Sequence, residues 1–246
     1  WGLCSKMATF VSQNGGRVEC NTRIKSINLL EKKVEIDCEI AGKQVHLTAD
    51  YLISTIPLPS LISYLPDVPS EIQGTAQKLK YRSLVVLGML VNKARVSNAI
   101  CCYFTDKLFN RLDEPTIHGL KANPPDRSIL LAELACNYND DVWTFDDTLA
   151  EAIVRDIVSE GLLKDGDVLE KWKLRYRYAY TIYHVGYRKD LNTVLQYLER
   201  FGNLRSTGRQ GNFNYVNMHV SMKMGMQAAR ELPKNDVRLY EVKKTL

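Results

Sequence analysis

Gly208-Arg209-Gln210-Gly211-Asn212-Phe213-Asn214-Tyr215-Val216-Asn217-Met218 runs straight into a segment with helical apolar spacing. A glycine-containing turn ahead of a helix N-terminus exposes backbone N–H groups that lack intrahelical partners, at the positive end of the helix dipole. That arrangement favours an anion, or an electron-rich ring that becomes anionic on reduction. Taken alone, the spacing is also that of an ordinary turn, and an arginine beside two glycines is more often only that. The stripe of Met218, Met222, Met226 and Ala229 that follows reads first as core packing.

Other chemistry-bearing residues leave two readings open. Arg111 is a cation facing a pocket or the partner of Asp113 or Glu114. Tyr176, Tyr178, Tyr180 and Tyr183 form an aromatic substrate wall, or the first three mark one face of a half-buried strand, which their alternation favours. His184 and His219 have no carboxylate or hydroxyl at motif spacing and receive no acid–base role. Asp140-Asp141 and Asp146-Asp147 read as a polar loop and a helix start, not a metal cluster. No two of the six cysteines form a CxxC pair, so reduced thiols in a cytoplasmic compartment are expected. The net charge of +5 is scattered among acids, which reads as a solvated surface, argues against nucleic acid and is compatible with an anionic small-molecule ligand. Apolar runs stay far below the ~20 residues that cross a bilayer.

These residues need elements to position them. Residues 3–14 predict an amphipathic helix stopped by Gly15-Gly16, with a strand beginning at Val18. Residues 33–48 predict a hairpin turning at Gly42. Asp50–Pro57 reads as a buried strand delivering its C-terminal end to a loop, and the prolines of residues 57–70 mark a domain crossover. Strands are expected at Leu84–Val91, Ile100–Phe104, Thr116–Leu120 and Ser128–Cys136, and helices at Ser70–Leu79, at 146–163, after a capping Asp190, and from Met218 to Leu232. Phe201–Thr207 is a short link or strand, and the tail after Pro233 is charged and extended. The mixture is that of an α/β or α+β protein.

Gly208-Arg209-x-Gly211-x-Phe213-x-Tyr215-x-Asn217-Met218, with Gly225 and Ala228-Ala229, resembles the C-terminal flavin motif of the FAD-dependent amine oxidase superfamily. Within it the chain is most similar to the protoporphyrinogen oxidase-like and UDP-galactopyranose mutase-like branch. Four further segments match in order. Asn21-Thr22-Arg23-Ile24-x-x-Ile27 resembles the strand beside the FAD adenine, and Ala49–Pro57 the strand closing over the dinucleotide. Tyr103-Phe104, Phe109-x-Arg111 and Glu114-Pro115 resemble the substrate-domain strand facing the flavin. Ala179-Tyr180-Thr181-Ile182-Tyr183 resembles the stretch returning to the FAD domain, with Thr181 where the family has proline.

The resemblance implies an incomplete FAD-binding Rossmann-like domain (residues 1–57 and 184–246) interrupted by a β-rich substrate domain (58–183). It implies FAD contacts from Ile24, Thr55, Pro57, Gly208 and Arg209, and from the backbone of Asn217, Met218 and His219, with Arg111 and Tyr183 facing substrate. The implied reaction is hydride transfer from a C–N or C–C bond to flavin. The alternative is a mutase-like isomerase acting on a nucleotide sugar, for which Arg111 and Arg209 would hold the diphosphate. The GxGxxG strand–turn–helix that holds the FAD pyrophosphate is missing from these 246 residues. A chain opening on Trp1-Gly2 is therefore expected to be the C-terminal part of a longer flavoprotein. By itself it is expected to be catalytically incomplete and to bind FAD weakly unless a homodimer completes the site.

Overall fold

The structure, a computed structural model, describes residues 2–119, 124–144, 146–232 and 242–243. The chain divides into two compact units, Trp1–Leu79 with Tyr183–Leu246, and Lys80–Ile182. The first unit begins with α1 (Gly2–Gln13), β1 (Thr22–Leu29), β2 (Val34–Ile40), β3 (Lys43–Ala49), β4 (Leu52–Ser54), α2 (Leu58–Tyr64) and α3 (Ser70–Lys78). The second holds β5 (Tyr81–Val91), β6 (Cys101–Tyr103), β7 (Arg111–Asp113), β8 (Ser128–Cys136), α4 (Asp141–Thr144), α5 (Asp147–Ser159) and β9 (Val168–Thr181). The chain returns to the first unit through α6 (Tyr187–Glu199), β10 (Leu204–Ser206), α7 (Gly208–Gly211), α8 (Met218–Arg230) and β11 (Val242–Lys243).

The second unit is an antiparallel sheet in the order β6-β7-β8-β5-β9. Strand β8 alternates strictly, burying Ser128, Leu130, Ala132, Leu134 and Cys136. With Val85, Leu87, Met89 and Val91 of β5 these side chains form a core closed by Ala150, Ile153 and Ile157 of α5. Asp146 caps α5, its carboxylate accepting the Leu149 N–H at 2.9 Å. The strand expected at Thr116–Leu120 is instead a single 3-10 turn, Pro115–His118, ended by left-handed Gly119, while Leu120 lies outside the described residues. Proline sets that turn, and the Glu114 carboxylate ties the segment to the Val96 and Ser97 amides and to Thr116 Oγ1.

In the first unit β1, β2 and β3 form an antiparallel meander whose far edge pairs with β11, while β4 and β10 form a separate parallel pair. The expected hairpin is present, turning through left-handed Ala41 and Gly42. The strand expected from Val18 begins at Thr22. Residues 58–79, expected in the substrate domain, belong to the first unit, because α2 packs on β1 and α3 on α6. The prolines of the crossover start helices here, Pro57 and Pro69 both standing at N-caps. Helix α6 begins at Tyr187 after left-handed Gly186. Asp190 thus sits in its first turn, not at its cap, where it accepts from His184 at 3.0 Å and lies 3.7 Å from Lys78 Nζ.

Two helices of this unit bury almost nothing. Helix α1 has the expected apolar stripe, yet none of its residues is buried and Phe10 is 67% exposed. Helix α8 buries Ala228 alone, leaving Met218, Met222 and Met226 exposed, so the methionine stripe is not core packing. Among the described residues no helix is long and apolar enough to cross a membrane, and no group of acids, histidines and cysteines could hold a metal.

Candidate functional site

The site grows from the parallel pair. Strands β4 and β10 align Leu52 with Leu204 and Ser54 with Ser206, and the Thr207 N–H donates to the Ser54 carbonyl at 2.9 Å. Both strands thus end at one level, the C-terminal edge where open parallel sheets hold ligands. The chain reverses there at Gly208 (φ +80°), a conformation L-residues resist. Gly211 comes close to the strand ends: a Cβ on it would lie 2.9 Å from Ser206 Oγ and 3.0 Å from the Ser54 carbonyl. Ser206 Oγ donates to the Gly211 carbonyl at 2.7 Å and closes the turn of α7.

Between α7 and α8 the loop is tied at several points. The Asn214 N–H donates to the Arg209 carbonyl at 2.9 Å, and Arg209 Nη1 donates to the Val216 carbonyl at 3.1 Å. The Arg209 guanidinium also lies 4.3 Å from the Tyr215 ring centroid. Phe213 is buried at 1% exposure with φ +47°, a left-handed state that costs a bulky L-residue about 1–2 kcal/mol. Asn217 then begins α8 with extended backbone, and its side chain makes no cap hydrogen bond. Asn217, Met218 and His219 are exposed, and the first-turn N–H groups of α8 are ones that a helix leaves without intrahelical partners.

The structure brings several sequence-derived residues together. Thr55 stands beside Gly208, with its Cγ2 3.7 Å from where a Gly208 Cβ would lie, and Pro57 is buried at the start of α2. Arg209 and the Asn217–His219 turn belong to the same loop. Ile24 lies in the β1–β2–β3 sheet, opposite Cys38 beside a bulge, and is not joined to this cluster. Tyr183 belongs to the loop: its hydroxyl accepts the Tyr215 N–H at 2.8 Å and faces Asn214 Oδ1 at 3.4 Å. The His184–Asp190 pair was missed, because its spacing of six residues matches no motif and only the turn at Gly186 closes it.

Arg111 stands in the second unit as an ion-pair partner. Its Nε lies 3.0 Å from Asp113 Oδ2 and its Nη2 is bonded to Glu133 Oε1, while Tyr180 donates to the other Glu133 oxygen at 3.1 Å. Burial works against the Arg111 cation. Hydrogen bonds to Tyr103 and Glu133, with the charges of Glu133 and Asp113, outweigh it and raise the arginine pKa above its ordinary value. Glu133 was not singled out from the sequence, because a lone glutamate in an alternating strand carries no signal until β7 is placed beside β8.

An isoalloxazine ring fits what the loop offers. The α8 amides suit charge that appears on reduction, and the Ser54 hydroxyl, buried at the strand end, has no hydrogen-bond partner among the described residues. The pyrophosphate end of FAD finds no glycine-rich strand–turn–helix in this sequence.

Residues 3–232 match the sequence family described as flavin-containing amine oxidoreductase. No curated protein sequence matches the chain. Among solved structures, the fold is similar to that of reduced UDP-galactopyranose mutase (22% identity, TM-score 0.64, 78% of this chain and 41% of that one). It is also similar to a protein assigned as a protoporphyrinogen oxidase from Exiguobacterium sp. 255-15 (15%, 0.62, 87% and 47%). A cofactor-binding redesign of putrescine oxidase is a third (13%, 0.61, 86% and 48%). The chain spans less than half the length of each of these three structures.

Proposed function

The chain belongs to the flavin-containing amine oxidoreductase family, and we propose that it supplies the ring-facing part of an FAD-dependent oxidoreductase that takes a hydride from its substrate. The observation that carries this reading is the N-terminus of α8, without a side-chain cap at Asn217, in the chain that follows the Gly208–Gly211 turn set at the C-terminal ends of β4 and β10. FAD, when bound, supplies the hydride acceptor. The residues of this chain orient and polarise. Backbone N–H groups of Met218 and His219 are fixed before reaction, so negative charge arriving near them is stabilised without reorganisation. Thr55 and Gly208 would line the ring edge, and Ser54 Oγ offers one further donor. Arg209, engaged with the Val216 carbonyl and the Tyr215 ring, shapes the loop instead of facing substrate.

A mutase-like isomerase acting on a nucleotide sugar is supported less. It needs cations for a diphosphate, and Arg111 is paired with two carboxylates. The test is the absorbance spectrum of the purified chain mixed with FAD and desalted. A retained, shifted flavin band supports the reading and opens the chain to amine, porphyrinogen and UDP-sugar titrations. A colourless protein, with FAD retained by a longer form carrying a glycine-rich nucleotide-binding segment, assigns the function to that longer form. Failure of both removes the flavin reading.

A further inference from the structure

We propose that Tyr183 is a positioning residue, a latch that holds the strained Phe213 loop and so aims the first-turn amides of α8. The proposal rests on the flavin reading for its consequence but not for its geometry. Phe213 is fully buried with a left-handed backbone that a bulky aromatic resists, and its N–H donates to the Gln210 carbonyl at 3.2 Å. A further hold on it lies 30 residues earlier in the chain. The Tyr183 ring meets Phe213 edge-on at 6.0 Å and leans on Tyr187 at 4.6 Å, and Tyr187 meets Phe213 at 6.2 Å. The Tyr183 hydroxyl accepts the Tyr215 N–H at 2.8 Å and faces Asn214 Oδ1 at 3.4 Å. One side chain therefore packs the strained residue and fixes the next two.

Downstream of Tyr215 only Val216 separates the latched strand of loop from Asn217, whose carbonyl accepts the Val220 and Ser221 N–H groups that open α8. Release of the latch lets Phe213 relax towards negative φ, and the three residues before Asn217 carry that rotation into the helix start. The amides of Met218 and His219, held by no capping side chain, then lose their common direction. Charge stabilisation depends on direction more than occupancy does, so an electron-rich, reduced ring suffers more than an oxidised one.

The experiment compares the 246-residue chain with its Tyr183→Phe and Tyr187→Phe variants. Tyr183→Phe keeps the ring and removes only the hydroxyl. Amide hydrogen exchange is expected to quicken about tenfold at Tyr215 and in the first turn of α8, with β1–β3 unchanged. Tyr187→Phe is expected to leave those amides within about twofold. Anaerobic titration with FAD and with dithionite-reduced FAD is the second arm. Tyr183→Phe should weaken the reduced form about tenfold more than the oxidised, equivalent to a two-electron potential about 30 mV lower. Unchanged exchange at Tyr215, faster exchange across the whole unit, or equal weakening of both flavin forms would overturn the proposal. If the unmodified chain binds neither form, the flavin arm is read on the longer form that retains FAD, and the exchange arm on this chain decides the latch.

Discussion

The two units of this chain solve the problem of burying apolar surface to different degrees. The second sets a five-stranded antiparallel sheet against α5 and closes a core in which Leu87, Met89, Ala132 and Ile153 are wholly buried. The first carries an amphipathic helix with no buried residue, a second helix with one, and a parallel pair of only two strands. Parallel strands are found in larger sheets covered on both faces, and an amphipathic stripe exists to be covered. The chain spans less than half the length of the solved structures it resembles. Within it the second unit closes its apolar faces on one another, and the first leaves the stripes of α1 and α8 exposed.

The contrast is sharpest in truncations. Ile153→Ala, in the closed core, is expected to lower stability by about 2–5 kcal/mol in urea unfolding. Met222→Ala, on the exposed stripe of α8, should change it by less than about 0.5 kcal/mol. Comparable losses would mean that the stripe is already covered in solution and would break the contrast. Added methyl groups come next. Gly88→Ala places a Cβ 2.2 Å from the Trp172 ring, and the expected loss is about 1–3 kcal/mol. Trp172→Leu in the same chain should restore most of it, since the obstacle is a side chain. Gly211→Ala meets the Ser54 carbonyl at 3.0 Å as well as Ser206 Oγ, so adding Ser206→Ala should recover only part of a similar loss. Full recovery there would show that the strand ends can move, and that the turn is less fixed than the site requires. Gly208→Ala is smaller, about 1 kcal/mol, because space is open and only the left-handed backbone resists.

The same contrast governs what could be read from the sequence. The β2–β3 hairpin was legible because the alternation that sets Val34, Ile36, Cys38 and Ile40 on one face coincides with burial at Val34 and Cys38. The order of the five family segments gave the flavin site its outline, including the turn at Gly208 and Gly211. Periodicity also found α1 and α8, but it reports amphipathicity and not what lies against the stripe, so Met218, Met222 and Met226 were read as core packing although they stand exposed among the described residues. Strand β9 was visible only through its tyrosines, since its lysines and arginines hide a 14-residue strand until β5 pairs with it. Asp113 was legible as a partner of Arg111, but Glu133 lies 22 residues from Arg111, as Asn214 lies 31 from Tyr183, and only tertiary structure brings those near.

The smallest effect concerns acid. In the first unit the hydrogen bond from His46 to Asp37, then that from Ser26, holds the Asp37 carboxyl below its ordinary value of 3.8. In the second, the Lys164 N–H and then Lys93 do the same for Asp167, with burial opposing them. A lowered folded-state pKa means fewer protons bound in the folded state, so this stability is present above the unfolded carboxylate pKa. It is lost as pH falls from about 4 through the folded value. Asp37 is well exposed, and a surface pair of this kind contributes at most about 1 kcal/mol, less in salt. Stability of Asp37→Asn should therefore fall slightly less steeply than that of the unmodified chain between about pH 4 and 2, with the difference vanishing in about 1 M salt. A larger or salt-insensitive difference would mean that this edge of the first unit is buried by something beyond the residues described, and would move Asp37 from the solvated surface to the covered side of the contrast.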